Sequence, residues 1–279
     1  MAVRVVTDST ADLPPDLVRQ WDLSVLPCSI HFGEESYRDG VDITADEFFR
    51  RLTDSPRLPT TTQPTVMEFL EVYRALTQGG DEVVSIHIAD KLSGTLNSAL
   101  QAREALGSAT RIEIIDSLST SMALGLIVLE AARSAREGAS LQEVVEVVHR
   151  AMSRTRVFFL VDTLEYLEKG GRIGKATALL GTLLQLKPVL AIVDGEVRPV
   201  ERIRTRSRAL ERLEALVKQH APLEALAVLY TTTLDEAEAL GQRLKPHLFQ
   251  GEPIVARAGA TIGTHGGPGL LGAAFMTRA

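Results

Sequence analysis

Hydroxyl side chains cluster where a strongly apolar segment of the chain ends in a polar corner. Residues 83–89 are apolar and rich in β-branched side chains, which predicts a buried strand. Ser93, Gly94, Thr95 and Asn97 follow, where the next helix is expected to begin. The first N–H groups of a helix lack partners and its dipole favours negative charge, so this corner can bind an anion. Taken alone, the corner is explained more simply by Ser93 acting as a helix cap.

Other segments of the chain repeat this chemistry. Hydroxyl groups recur in an extended loop at Thr61 and Thr62 and after a later strand at Ser117, and a glycine-rich loop carries His265 and Gly266. Glycines let a backbone approach a ligand closely, and successive N–H groups can form a nest for an anion. Turn formation explains each segment individually. We therefore hypothesise that loops from two domains face one crevice and bind a carboxylate there.

Ser93 and His265 also allow a second interpretation, an acyl hydrolase in which His265 is the base for a serine nucleophile. The G-x-S-x-G sequence that surrounds such a serine in many hydrolases is absent. No third residue that would orient His265 is apparent from the sequence. Hydroxyls that donate hydrogen bonds to a carboxylate are favoured, and the acyl hydrolase stays the alternative.

Metal and nucleotide sites are not indicated. The six histidines show no ligand spacing, and a single cysteine, Cys28, provides no zinc pattern. Lys175 follows Gly174, but Lys169 stands where a Walker A loop needs its first glycine. We predict no cofactor, no metal and no catalytic residue.

Length, charge and hydropathy limit the class of protein. The chain has 279 residues, enough for about two domains. A net charge of −6 argues against a general nucleic-acid or membrane-surface binder. The N-terminus enters a strand pattern without the features of a signal peptide, and Lys187 and Pro188 interrupt the most apolar window, 176–193. We expect a cytoplasmic protein with no stable membrane insertion.

Strands and helices alternate up to about residue 150, which predicts a three-layer α/β/α domain with a mainly parallel sheet over residues 1–150. From residue 151 the pattern changes, because a hairpin is predicted at 189–200 across Asp194 and Gly195. Residues 151–279 are therefore expected to form a second α/β domain with a mixed sheet. Open parallel sheets bind ligands at the carboxyl ends of their strands, where the hydroxyl clusters lie.

Arginines crowd into residues 198–208. Most such runs are solvated surfaces, and neighbouring glutamates partly offset this one. The alternative is a docking surface for an acidic partner. The candidate partner-binding residues are Arg172, Arg202, Arg204 and Arg206.

Motifs along nearly the whole chain resemble those of the DegV family, whose members are also described as fatty-acid-binding proteins that serve a fatty acid kinase. They are Thr7–Leu13, Tyr37–Ile43, Thr61–Pro64, Leu92–Ala99, Asp116–Gly125, Leu164–Gly174, Lys187–Pro188 and His265–Gly269. One departure is visible, because the family usually has Thr-Ser-Gln-Pro where this chain has Thr61–Pro64. The hydroxyl is retained at Thr62.

The resemblance implies two α/β domains that hold a long-chain fatty acid between them. Its carboxylate would meet hydroxyls at Thr61 and Ser93, the region of Gly94, and the loop at His265 and Gly266. It also implies that a separate ATP-dependent kinase subunit phosphorylates the bound acid, and that the acyl phosphate enters phospholipid synthesis.

The physical chemistry of a fatty acid is consistent with this site. Burying about 15 methylenes at roughly 0.8 kcal/mol each contributes on the order of 12 kcal/mol. The acyl chain would therefore supply the affinity, while a few hydroxyls fix the head group. The apolar segments 122–132 and 176–186 are candidate tunnel walls, although either would also suit an ordinary core.

Overall fold

The computed structural model describes residues 2–55, 57–107, 110–181 and 186–278. Its first sheet is parallel and runs in the order β2-β1-β6-β7. The strands are β1 (Val3–Asp8), β2 (Ser24–Leu26), β6 (Glu82–His87) and β7 (Ile112–Asp116). Alternate residues of β1 and β6 point to opposite faces, and most residues are buried on both faces.

Six helices accompany this part of the chain among the described residues. They are α1 (Pro15–Gln20), α2 (Ala45–Asp54), α3 (Val66–Thr77), α4 (Thr95–Leu106), α5 (Ser121–Arg136) and α6 (Leu141–Arg154). Helices α3 and α4 pack on one face of the first sheet, and α5 and α6 pack on the other. Capping boxes begin α3 at Thr65 and α6 at Ser140, where each residue exchanges hydrogen bonds with the glutamate three residues later.

A separate, small antiparallel sheet has the strand order β4-β3-β5. Its strands are β3 (Ser29–Phe32), β4 (Glu35–Arg38) and β5 (Thr60–Thr62). Strands β2 and β3 are separated at Pro27 and Cys28, because proline has no N–H for a ladder. The segment around Thr61 was expected to be a loop, but Thr60–Thr62 pairs with β3.

The second large sheet is mixed and has the order β10-β9-β8-β13-β11-β12. Its strands are β8 (Thr155–Leu160), β9 (Val189–Val193), β10 (Glu196–Glu201), β11 (Leu223–Tyr230), β12 (Ile254–Arg257) and β13 (Leu271–Thr277). Neighbouring strands are antiparallel except β11 and β12, which are parallel. The predicted hairpin across Asp194 and Gly195 is confirmed.

Helices of this second half are α7 (Glu165–Lys169), α8 (Arg206–Lys218), α9 (Leu234–Leu244) and α10 (Ala260–Gly266). The segment that contains His265 was expected to be a loop, but most of it is α10. Gly174–Leu179 is a 3-10 helix.

Helix α5 lies between the two large sheets and contacts β1 on one side and β8, β11 and β13 on the other. One apolar core therefore runs from the first sheet through α5 to the second. The predicted fold class, a parallel α/β/α unit joined to an α/β unit with a mixed sheet, is confirmed. A division at residues 150 and 151 falls inside α6 and stays a prediction. None of the described helices is long and apolar enough to cross a membrane.

Candidate functional site

A cavity opens between the carboxyl edge of the first sheet and the inner face of the second. Together with the space at its mouth it encloses about 840 Å³. Most of its walls are apolar, contributed by residues that include Ile88, Leu92, Val157, Phe159 and Leu229. The polar lining residues that the sequence predicted are Thr61, Thr62, Ser93, His265 and Gly266. The cavity thus combines an apolar interior with a group of polar side chains, as small-molecule sites usually do.

A hydrogen bond joins the two halves of the protein at the polar end of this cavity. Thr61 Oγ1 lies 2.9 Å from His265 Nε2. The pairing of β5 with β3 fixes Thr61 on one side, and α10 carries His265 on the other. The sequence predicted both residues, and the structure brings them together.

His265 is held in its neutral form. Burial, and secondarily the positive charge of Arg172, lower the pKa of His265 to about 4. Its Nδ1 is buried and has no hydrogen-bond partner among the described residues. Gly170 allows this packing, because a Cβ there would lie 2.2 Å from Nδ1. An unpaired acceptor is less costly than an unpaired N–H, so the favoured tautomer carries its proton on Nε2 and donates it to Thr61.

Ser93 lines the cavity beside this pair. Its Oγ lies 2.9 Å from Thr95 Oγ1 and accepts a weak hydrogen bond from the Thr95 N–H at 3.3 Å. The expected role of Ser93 as the helix cap is wrong, because Gly94 occupies the cap position of α4. Gly94 provides room for Gln63, whose Nε2 would lie 2.9 Å from a Cβ at that position. Gln63 lines the cavity although the sequence analysis did not select it.

Four of the other predicted ligand-binding residues do not lie on the cavity wall. Gly94 and Thr95 lie behind Ser93, and Thr95 is fully buried. Asn97 is exposed on α4. The hydroxyl of Ser117 donates to the backbone oxygen of Ser119 in a tight turn.

Two aspartates that the sequence analysis missed hold α10 in place. Asp39 accepts hydrogen bonds from the N–H groups of Ala260 and Thr261, at 2.9 and 3.1 Å. Asp12 accepts one from the Gly259 N–H at 2.8 Å. Burial raises the pKa of Asp12 to about 8 and also raises the pKa of Asp39. Both residues lie in the motifs quoted above, but the sequence did not indicate that they would meet a helix more than 200 residues away.

The candidate partner-binding arginines separate into two groups. Arg202 and Arg204 are exposed. Arg206 instead bonds to Glu236, to Asp162 and to the backbone oxygen of Gly269, so it supports the loop that follows α10. Arg206 therefore does not present its guanidinium freely at the surface.

Arg172 belongs to the wall of the cavity. It donates hydrogen bonds to the backbone oxygens of Leu92, at 3.0 Å, and Gly170, at 2.7 Å. These bonds tie the segment before Ser93 to the turn that packs on His265. Arg172 also adds a positive charge close to the polar end of the cavity.

The geometry gives little support to a hydrolase. Ser93 is bonded to Thr95 and the bonded nitrogen of His265 is directed at Thr61. A second serine, Ser85, does lie 2.7 Å from His87, which lies 2.9 Å from Asp8, but all three side chains are fully buried. That serine is out of reach of a substrate, so the network has a structural role in the core.

Residues 122–132, a candidate tunnel wall, do not line this cavity. Most of them lie in the core between the two sheets, which was the alternative that the sequence left open. Strands of the second sheet form the apolar wall instead. The other expected wall, 176–186, includes residues 182–185, which lie outside the described part of the chain. In that described part no cluster of three or more histidine, cysteine or acidic side chains is arranged to hold a metal ion.

Comparison with known proteins identifies relatives along the whole chain. A family model described as an uncharacterised protein of the DegV family matches residues 2–278. A DegV domain-containing protein of Streptomyces coelicolor is 36% identical over 282 residues, covering 99% of each chain.

Solved structures with the same fold include a DegV family protein from Thermus thermophilus described by its fatty acid binding. It has a TM-score of 0.92 and 37% identity, covering 100% of both chains. DegV of Bacillus subtilis, a fatty acid binding protein, has a TM-score of 0.89 and 32% identity, again over 100% of both chains. A stearic-acid-binding protein from Eubacterium ventriosum has a TM-score of 0.90 and 27% identity, covering 99% of this chain and 98% of that one. The sequence match over almost every residue and the shared architecture establish that this chain belongs to the DegV family.

Proposed function

We propose that this protein binds a long-chain fatty acid in the cavity between its two halves and presents the carboxylate to a separate kinase subunit. The observation that carries the proposal is the Thr61–His265 hydrogen bond at the polar end of a largely apolar cavity. Fatty acid binding by relatives of the same fold supports the choice of ligand.

The hydroxyl of Thr61 is suited to bind the head group. When neutral His265 donates its Nε2 proton to Thr61 Oγ1, the hydroxyl proton of Thr61 is free to donate to a carboxylate. Ser93 offers a second hydroxyl on the same cavity. Hydrogen bonds to a charged acceptor are stronger than those between neutral groups, so two hydroxyls and the nearby charge of Arg172 are sufficient to orient the acid.

The apolar part of the cavity accounts for affinity. Its lining is mostly apolar, and strands of the second sheet contribute much of it. Burial of about 15 methylenes contributes on the order of 12 kcal/mol before the cost of immobilising the ligand. The head group then needs to contribute only orientation, which leaves a carboxylate oxygen available for phosphoryl transfer.

For the kinase subunit, the exposed Arg202 and Arg204 are the proposed contact residues. Arg206 is excluded from this role because its guanidinium is engaged with Glu236 and Asp162. Changing Arg202 and Arg204 together to glutamate is expected to abolish association with the kinase and leave the lipid content and thermal stability unchanged. Loss of bound lipid in that variant, or full kinase association, would contradict the assignment.

The ligand proposal is tested by native mass spectrometry of the protein purified without detergent, followed by lipid extraction and chromatography. We expect an added mass that corresponds to a long-chain fatty acid, and release of the same acid on denaturation. Repeated absence of any acid, together with failure of added palmitic acid to bind the delipidated protein, would overturn the proposal. The hydrolase alternative predicts instead turnover of a p-nitrophenyl ester that disappears in Ser93→Ala.

A further inference from the structure

A second cavity adjoins the fatty-acid site proposed above. It contains about 760 Å³ of space including its opening to solvent. Two aliphatic side chains, Val157 and Ile192, line both cavities. The two spaces therefore meet at these side chains.

The two cavities also share longer stretches of wall. Between β7 and the first residue of α5, Ser117 and Ser119 line the second cavity, whereas Thr120 and Ser121 line the first. Along β9 and the turn after it, Ile192 lines both cavities and Asp194 lines the second. The second space thus continues the first along the same two walls.

The chemistry of the walls changes at this junction. Val157 is 4% exposed and belongs to the apolar core, and Ile192 packs against that core. On the far side the lining is mixed: the charged groups of Arg156 and Asp194 and several hydroxyls stand beside apolar side chains such as Ile127 and Met152. A hydrocarbon chain gains free energy up to the aliphatic pair and gains less beyond it, because the polar groups of the mixed wall would be partly dehydrated without receiving hydrogen bonds.

We propose that Val157 and Ile192 form the end stop of the acyl site and set the longest chain that the protein binds tightly. This inference rests on the fatty-acid site proposed above. Shortening either side chain connects the first cavity to the second and lets a longer acyl chain enter. Enlarging either side chain shortens the first cavity, so that only a shorter acyl chain fits.

The test measures binding of myristic, palmitic, stearic and arachidic acids to delipidated full-length protein by calorimetric titration. In the wild type, affinity is expected to rise about fourfold with each added methylene until the chain reaches the stop, and then to level off. Val157→Ala is expected to raise the affinity for arachidic relative to palmitic acid about fourfold or more, because the removed methyl groups leave space for at least one further methylene. Ile192→Phe is expected to move the break to a shorter acid.

Val148→Ala provides the matched control, because Val148 is equally buried in the same core but lines neither cavity. Its chain-length profile should follow the wild type. A break at the same acid in Val157→Ala, Ile192→Phe and the wild type would overturn the end stop while leaving fatty acid binding intact. Failure of every acid to bind the wild type would instead overturn the fatty-acid site, and the end stop with it.

Discussion

The hydroxyl of Thr61 provides the sharpest test of how head group and tail divide the binding free energy. Thr61→Val removes the hydroxyl and keeps the β-branched shape that suits strand β5. The carboxylate loses a donor, and His265, whose Nδ1 has no partner among the described residues, loses the partner of Nε2 as well. The apolar wall of the cavity is unchanged.

A hydrogen bond to a charged group contributes about 1.5–3 kcal/mol, which corresponds to roughly a 10- to 150-fold change in a dissociation constant. That loss is small beside the acyl term of about 12 kcal/mol. Thr61→Val is therefore expected to weaken palmitate binding by one to two orders of magnitude, while the gain of about fourfold per added methylene is retained.

The assay is calorimetric titration with myristic acid, palmitic acid and methyl palmitate. The ester has no charge and should lose much less affinity than the acid in Thr61→Val. Thr60→Val is the matched control, because Thr60 is exposed on the same strand and does not line the cavity. Equal losses for acid and ester, or a changed gain per methylene, would refute the assignment of Thr61 to the head group.

Three further predictions concern the surroundings of the head group. Asp12→Asn should make the free energy of unfolding less dependent on pH. Burial raises the pKa of Asp12 to about 8, so between about pH 4 and 8 the folded wild type keeps a proton that the unfolded chain has lost. The stability of the wild type therefore falls as the pH rises through this window. Urea unfolding across that window measures this, and parallel profiles would contradict it. Gly170→Ala should displace the His265 ring and reduce palmitate affinity about tenfold or more, since the loss resembles that of one charged hydrogen bond. The control Gly79→Ala should leave the affinity unchanged, because a Cβ at Gly79 would meet open space. Equal palmitate affinities of the two variants would contradict the packing argument. Ser93→Ala should slow phosphorylation of the bound acid by the kinase about tenfold while weakening palmitate binding less, and equal effects on both would argue against a role in orienting the carboxylate.

Much of the fold follows from local pattern. The buried strands β1 and β6 are read from β-branched runs, and the capping boxes at Thr65 and Ser140 mark helix starts correctly. Errors arose where tertiary pairing decides the conformation. Thr60–Thr62 is a β-branched run of only three residues next to Pro59, and it becomes β5 because it pairs with β3.

The candidate site was predicted in part for a similar reason. Thr61, Ser93 and His265 were visible as polar groups in turn-like contexts, and all three line the cavity. The residues that hold α10 and His265 in place could not be predicted. In the sequence, Asp39 and Gly170 resemble ordinary turn residues, and only the fold shows that they contact α10. The sequence also does not indicate that Arg206 bonds to Glu236 and Asp162. Because of these bonds, Arg206 does not belong to the exposed arginines.

The orientation of the acid in the cavity is the central claim, and one diffraction measurement tests it directly. A crystal of the protein with hexadecanoic acid brominated at its terminal carbon should give one anomalous bromine peak beside Val157 and Ile192, with the carboxylate within hydrogen-bond distance of Thr61. A bromine peak beside Thr61 and His265, or outside the cavity altogether, would contradict the account.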